Sequence, residues 1–382
     1  MQASICKLLR ASLRLYPLYS GAGTLANTRL PAWASSVLGD RAVTTLRSGV
    51  RLIVNPQECL GRSVYYTGEW DPKITWVINR LLRTGDTFID IGAHCGVIAV
   101  AGAARVGASG MVHAFEPQPD LAAMLKASAS ANGFMNVRVH NIALSDRTGE
   151  MNLFIPANKQ VLATLEGDGG DHPSIRVPVE CASDYLKNLN LKHIRLIKID
   201  VEGHEETLLR GARDYLAKTP PDAILFESVP TEGPFWRRPA VMLLSTMGYH
   251  FIAVPKRLIR MSTHLVLDSE PDPACHDFVA AQLHTLDQIT DALDTRSHKK
   301  PPSPPPMKKV HPPPKLFQCK NSNIRRIVGV PGSGHYDADS LSRAISNVGS
   351  EKEALQSQRH EDFICVTHAT DGQIVRRRAA KQ

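Results

Sequence analysis

One short run constrains this chain more than any other: Thr87-Phe-Ile-Asp90-Ile-Gly92-Ala-His94-Cys-Gly96. A mostly apolar strand ends in an acid, and two glycines follow at the spacing D-x-G-x-x-x-G. Small residues at helical length come next, through Arg105. A buried strand that turns sharply through glycine into a helix opens a parallel sheet with crossover helices. Glycine permits that turn and lets a ligand approach the backbone closely. Such sheets bind ligands in the crevice outside the carboxyl ends of their strands.

The alternation continues downstream. Met111–Phe115, Val137–Ala143, Arg195–Ile199 and Ala223–Phe226 read as further main strands, and Glu150–Ile155 as an additional one. Helical patterns separate them: one between Pro119 and Gly133, one from His204 to about Leu216, and Val241–Met247. Tyr249–Val254 and His264–Leu267 read as a closing antiparallel pair. The expected fold class is α/β, a Rossmann-like doubly wound and mostly parallel sheet over residues 83–268. Residues 1–82 read as an N-terminal extension: a basic helix, then a strand pair formed by Leu46–Val54 and Ser63–Tyr66, then a helix opened by Asp71-Pro72. Residues 269–295 read as a connecting segment.

Residues 296–382 differ in kind. Eight of the fourteen residues 301–314 are proline, and 296–326 hold nine Lys/Arg and no acid. Proline removes backbone donors and favours extended chain, so this tail is expected to be disordered, with binding to a protein partner as its functional reading. The whole chain has 45 Lys+Arg against 37 Asp+Glu, a net charge of +8. The nine basic residues of the tail exceed that excess, so the remainder is near neutral. The basic balance therefore gives no support to a nucleic-acid substrate.

The first 39 residues contain no acid and carry Lys7, Arg10, Arg14 and Arg29. Ile5, Leu8, Leu9, Leu13 and Tyr16 recur at helical spacing. The favoured reading is a helix packed on the main domain or a partner; a helix in peripheral contact with a membrane surface and a transit peptide are the alternatives. No apolar run reaches the roughly 18 residues of a transmembrane helix. The seven scattered cysteines contain no C-x-x-C pair, which points to a reducing, cytoplasmic compartment.

The acid after the second strand defines the ligand. In His113-Ala-Phe-Glu116-Pro, Glu116 can accept both hydroxyls of a ribose. The dinucleotide pattern G-x-G-x-x-G and the Walker loop are absent. A glycine loop of Asp90, Gly92, His94 and Gly96, with Glu116 for a ribose, reads as a site for S-adenosylmethionine. Ser145 or Asp146, after the third strand, is the candidate adenine contact, with a plain turn as the other reading.

These segments, DTFIDIGAHCG, VHAFEPQPD, NVRVHNIALSDRTGE and LIKIDVEGHEETLLRGA in this order, resemble the FkbM-type methyltransferases over about residues 60–268. The resemblance implies a class I S-adenosylmethionine-binding fold. The family commonly has Asn where this chain has His94, a change that stays polar. In this topology the elbow Asp200-Val-Glu202-Gly203-His204-Glu205 lies beside the methyl group. Methyl transfer is an in-line displacement, and an alcohol attacks well only once its proton leaves. Asp200 is the leading candidate for orienting the acceptor or taking its proton, with Glu202 second, His204 third and Glu227 secondary. Glu205 reads as an ordinary first-turn acid.

Asp200, Glu202 and Glu227 are hard oxygen ligands, yet their spacing matches no known cage, so no metal is assigned. Trp70, Tyr65, Tyr66, Phe235 and Trp236 could line an acceptor pocket or pack the extension. His172 and Arg176 fall in a Gly/Asp-rich loop that reads as an acceptor lid or as a solvated loop.

The expected function is S-adenosylmethionine-dependent O-methylation of a hydroxyl on a small molecule or glycan. A binding or scaffold protein with a retained methyltransferase fold is the alternative. Nucleic-acid N-methylation is weakly supported, since Asp200-Val-Glu202-Gly203 stands where such enzymes carry an Asn/Asp-Pro-Pro-aromatic motif. Truncation after about residue 295 is expected to leave activity intact, and lost activity would show that the tail carries a functional element.

Overall fold

The computed structural model describes residues 1–16, 18, 20–156, 162–167, 173–255, 261–267 and 272–294. The proline-rich tail, with its disorder and partner readings, and His172 lie outside the described residues.

In chain order the N-terminal region forms α1 (Gln2–Arg14), α2 (Ala22–Ala26), α3 (Arg29–Ser35), β1 (Ala42–Thr45), β2 (Arg51–Val54), α4 (Cys59–Thr67) and α5 (Pro72–Leu81). The hairpin is β1 with β2, antiparallel around the Ser48-Gly49 turn. Ser63–Tyr66, expected as a strand, lies in α4. Its β-prone Val-Tyr-Tyr run is buried on nearly every side, so the surroundings rather than propensity decide its conformation. Gly68, with φ +77°, ends that helix in the left-handed region. Residues of α1, β2 and α4 pack on Val97, Val100, Leu121 and Met124 of the main domain. Asn132 also pairs with the edge of β2, accepting from Arg51 N–H at 2.9 Å and donating to its carbonyl at 2.7 Å.

The main domain follows as β3 (Thr87–Ile91), α6 (Val97–Val106), β4 (Met111–Phe115), α7 (Pro119–Ala131), β5 (Val137–His140), β6 (Ala143–Ser145), β7 (Gly149–Phe154) and β8 (Ser174–Cys181). It continues with α8 (Ala182–Asn188), β9 (Leu196–Ile199), α9 (Glu205–Lys218), β10 (Ala223–Glu227), α10 (Pro239–Thr246), β11 (Tyr249–Ala253), β12 (His264–Leu265), β13 (Asp277–Gln282) and α11 (Leu283–Leu293). The eight-stranded sheet has the order β12-β11-β13-β10-β9-β3-β4-β5. Strands β5, β4, β3, β9 and β10 run parallel. Of these, β3, β4, β9 and β10 are mostly apolar because they are buried on both faces, while β5 at the sheet edge is partly exposed. Their order reverses between β3 and β9, which makes that boundary the topological switch point. Gly102 lets α6 sit against β3; a Cβ there would stand 2.6 Å from the Phe88 ring.

Two departures concern the later chain. Segment 174–181 is a strand, and with β6 and β7 it forms a separate three-stranded sheet in the order β6-β8-β7. Arg176 therefore lies on β8, paired with Glu150 at 2.9 Å. Residues 269–295, read as a connector, supply β13 and α11. β13 inserts antiparallel between β10 and β11, so the expected pair β11–β12 forms but does not close the domain. The Phe-Val-Ala-Ala stretch of β13 is short and lacks alternation, which hid it from a periodicity reading.

Phe278→Ala in β13 should cost about 3–5 kcal/mol, the usual price of a large core truncation. Denaturant unfolding checks this, and an unchanged midpoint would mean that 269–295 is not part of the core.

Candidate active site

The switch point opens onto a cavity of about 530 Å³. The register of the sheet decides which side chains meet there. Asp90 of β3 is the direct parallel partner of Lys198 in β9. Both are buried, on the face that also carries Phe88 and Leu196. Lys198 Nζ stands 3.1 Å from Asp90 Oδ1 and 3.3 Å from Asp200 Oδ2, and it donates to the Gly92 carbonyl at 3.1 Å. Burial opposes the ammonium charge, but Asp200 and Asp90 outweigh it and raise the lysine pKa. Burial likewise raises Asp90, with Lys198 pulling it back.

Gly92 explains why the two loops touch. Its φ is +78°, and a Cβ there would lie 1.8 Å from the Asp200 carbonyl oxygen. Only glycine allows β3 and β9 to end this close together.

Glu116, at the end of β4, is buried on the cavity wall. It accepts from His94 N–H at 2.8 Å and from Gln118 N–H at 2.9 Å. Burial pushes its pKa up to about 7, against the pull of these donors. His94 also lines the cavity, at φ +50°. Both of its ring nitrogens are buried without a hydrogen-bond partner, and burial lowers its pKa to about 4. A neutral imidazole with two unused nitrogens is a natural contact for an occupant of the cavity.

The elbow after β9 is held rigidly. Glu205 accepts from Val201 N–H and Gly203 N–H, each at 3.0 Å, so this first-turn acid builds the turn from within. Glu202 is left at φ +51°, facing the cavity. Non-glycine residues in that region persist where surrounding structure enforces them, and such sites are commonly functional. Burial, then Asp200 and Glu205, raise Glu202 to about 7. Glu227 of β10 faces Asp277 of β13 across an antiparallel pair. Burial and these like charges raise Glu227 to about 8, while Asp277, ion-paired to Lys73, is raised to about 6. Six carboxylates, Asp71, Glu116, Asp200, Glu202, Glu227 and Asp277, line the cavity, with Lys73 the only Lys or Arg among its described lining residues. No three His, Cys, Asp or Glu side chains converge as a cation cage among the described residues.

The sequence candidates thus divide. Gly92, His94, Glu116, Asp200, Glu202, His204 and Glu227 meet around one cavity. Asp90 and Gly96 stand behind the wall: the Asp90 carboxylate, expected to face a ligand, serves Lys198 instead. Ser145 and Asp146 are off the wall too, and Ile142, Ala143 and Leu144 line it from that loop. Ser145 Oγ lies 3.0 Å from His204 Nε2, and His204 Nδ1 lies 2.7 Å from Glu166 Oε1. Of the five aromatic candidates only Trp70 lines the cavity; Tyr65, Tyr66 and Phe235 are core side chains, and Trp236 packs with Phe235. Cys95 is a buried filler whose thiol is pushed up to about 12.

Three participants escaped the sequence reading. Lys198 carried a usable signal, a lysine between Ile197 and Ile199 in an apolar strand, which needs a buried counter-charge. Glu166 and Asp277 carried none, because only the tertiary fold brings them to the elbow and to β10.

The fold and crevice define a Rossmann-like domain with a buried acid, Glu116, after β4 on the wall of the crevice at its switch point. Residues 90–283 match the methyltransferase FkbM domain, and the chain belongs to that family. S-adenosylmethionine is the cofactor this membership implies, and the ring of carboxylates with backbone approach at Gly92 suits its cationic, hydroxyl-bearing structure. Over 163 residues the chain is 31% identical to the 31-O-demethyl-FK506 methyltransferase FkbM of Streptomyces tacrolimicus, covering 35% of this chain and 62% of that relative. The match therefore spans less than two thirds of the relative's length. Among solved structures, the precorrin-6y C5,15-methyltransferase of Geobacter metallireducens aligns at 13% identity, covering 56% of this chain and 90% of that one, with a TM-score of 0.33. A SAM-dependent O-methyltransferase of Thermotoga maritima aligns at 11% identity, covering 64% and 93%, with a TM-score of 0.33.

The raised carboxyl groups set a pH dependence. Glu202 and Glu227 hold protons in the folded chain at pH values where the unfolded chain has released them. Stability should therefore be highest at acidic pH near the ordinary glutamate value and fall as pH rises through about 7 to 8. Thermal melting across this range should show a falling Tm, and Glu227→Gln should flatten the fall. A Tm that rises over the same interval would contradict the assignment.

Proposed function

We propose that this chain is an S-adenosylmethionine-dependent O-methyltransferase whose acceptor is a hydroxyl on an uncharged small molecule or glycan. The observation that carries this reading is the single cavity in which Glu116 and the glycine loop face Asp200, Glu202 and Glu227 across the switch point. When bound, S-adenosylmethionine supplies the activated methyl group. Glu116 holds the ribose hydroxyls, the Gly92 backbone allows close approach, and His94 offers its unused ring nitrogens.

On the acceptor side, Asp200 is fixed by Lys198 and is placed to orient the incoming hydroxyl. Glu202, titrating at about 7, suits receipt of its proton at neutral pH. His204 has both ring nitrogens engaged, so it serves as a positioning residue that ties the elbow to Ser145 and Glu166. The carboxylate wall disfavours acceptors bearing carboxylate or phosphate groups, and Trp70 offers an apolar face to a sugar or polyketide ring. Methylation at oxygen also agrees with the name of the Streptomyces relative.

Calorimetry should detect one S-adenosylmethionine site in the folded protein, abolished by Glu116→Ala. Asp200→Asn should keep cofactor affinity within about twofold while turnover on a screened acceptor falls by about 100-fold or more. Cofactor binding without any Asp200 effect on turnover would remove that residue from its role. Absence of cofactor binding to wild-type protein would instead favour a scaffold function.

A further inference from the structure

The N-terminal helices leave an apolar face that the domain does not use. α1 packs inward through Ile5, Cys6, Leu9 and Leu13. Leu8, in the same expected stripe, is 67% exposed, and Leu15, seven residues on, is 83% exposed. α3 and the turn after it present Leu30 at 52%, Trp33 at 46% and Val37 at 48%, spaced by three and four residues along one side. The Gln2 side chain donates to the Trp33 carbonyl at 2.6 Å and to Ser36 Oγ at 2.8 Å, which sets the start of α1 beside this second group.

The charge around this face is mostly positive, with Asp40, beyond Val37, as the nearest acid in sequence. Lys7 and Arg29 are exposed, and residues 1–39 contain no acid. Arg10 and Arg14 turn inward: Arg10 lies over the Tyr65 ring at 4.8 Å, and Arg14 donates to the Thr45 carbonyl at 2.6 Å. Lys7 and Arg29 remain as the cations displayed with the apolar groups. Leucines with a tryptophan, on helices that carry cations and no acid, form the pattern of a surface that enters the interfacial layer of an anionic bilayer. A soluble monomer rarely leaves several large apolar groups exposed together without use. α2, between α1 and α3 in the chain, reaches the back of a cavity wall. Gly23 of α2 abuts Trp70, where a Cβ would stand 3.2 Å from the indole, and Trp70 is a cavity wall.

We propose that the α1–α3 face is a docking surface for an anionic lipid bilayer, with Leu8, Leu30 and Trp33 entering the interface and Lys7 and Arg29 meeting lipid headgroups.

The test uses the full chain with phosphatidylglycerol-containing vesicles and with pure phosphatidylcholine vesicles. Co-sedimentation should occur with the first and be at least about tenfold weaker with the second. The tryptophan emission should shift to the blue on anionic vesicles, and the shifting component should be missing in Trp33→Phe. Leu30→Ser with Trp33→Ser, and separately Lys7→Glu with Arg29→Glu, should each weaken sedimentation about tenfold or more. These side chains are exposed, so Tm should stay unchanged, and the charge pair reports independently if the apolar pair fails to fold. Equal sedimentation of wild type and both variants would overturn the proposal and assign the binding to the basic tail. So would no sedimentation at all, or self-association that Trp33→Ser abolishes while vesicle binding is unaffected.

Discussion

The site depends on one buried ammonium. Lys198 joins the Gly92 carbonyl, the Asp90 carboxylate and the Asp200 carboxylate. Without it, Asp90 would be a buried charge with no counter-ion, a situation that costs several kcal/mol when one partner is removed. With it, the glycine loop after β3 and the elbow after β9 become one unit across the switch point. The pairing follows from parallel register, since Asp90 and Lys198 are direct partners. The sheet thereby sets the geometry of the crevice before any ligand arrives, which is the form of preorganisation that makes a positioned reaction fast.

The remaining chemistry is arranged around that clamp. On one side Glu116 receives two backbone N–H groups and faces the cavity as a buried acceptor. On the other, Glu202 and Glu227 are pushed into the neutral range by burial and by their acidic neighbours. A cofactor carrying positive charge favours negative charge on the wall, which ionised carboxylates supply, and a pKa near neutrality lets the same groups take up or release a proton. Glu205 stabilises the elbow from within, while His204 ties it to Glu166 and Ser145, so the elbow is held by side-chain bonds rather than by strand pairing.

Much of this was legible before the fold was known. The β3 loop, the acid after β4 and the elbow after β9 are contiguous motifs, and local chemistry identifies them. Their meeting around one cavity follows from a doubly wound order that the alternation of strands and helices implies. What could not be read lies in long-range pairing. Ser63–Tyr66 has strand-like residues and becomes helix because tertiary burial outweighs propensity. β13 lacks alternation, and its place between β10 and β11 is set by packing. Asp90 illustrates the same limit within the site: its position at a strand end suggested a ligand contact, and only the register showed that Lys198 claims it.

The most direct measurement is a crystal structure of the chain with S-adenosylhomocysteine. The ribose hydroxyls should lie on Glu116, the amino-acid portion against the loop at Gly92 and His94, and the thioether sulfur facing Asp200 and Glu202. A ligand seated elsewhere, or in this crevice with its sulfur turned away from the elbow, would rule out this site for methyl transfer.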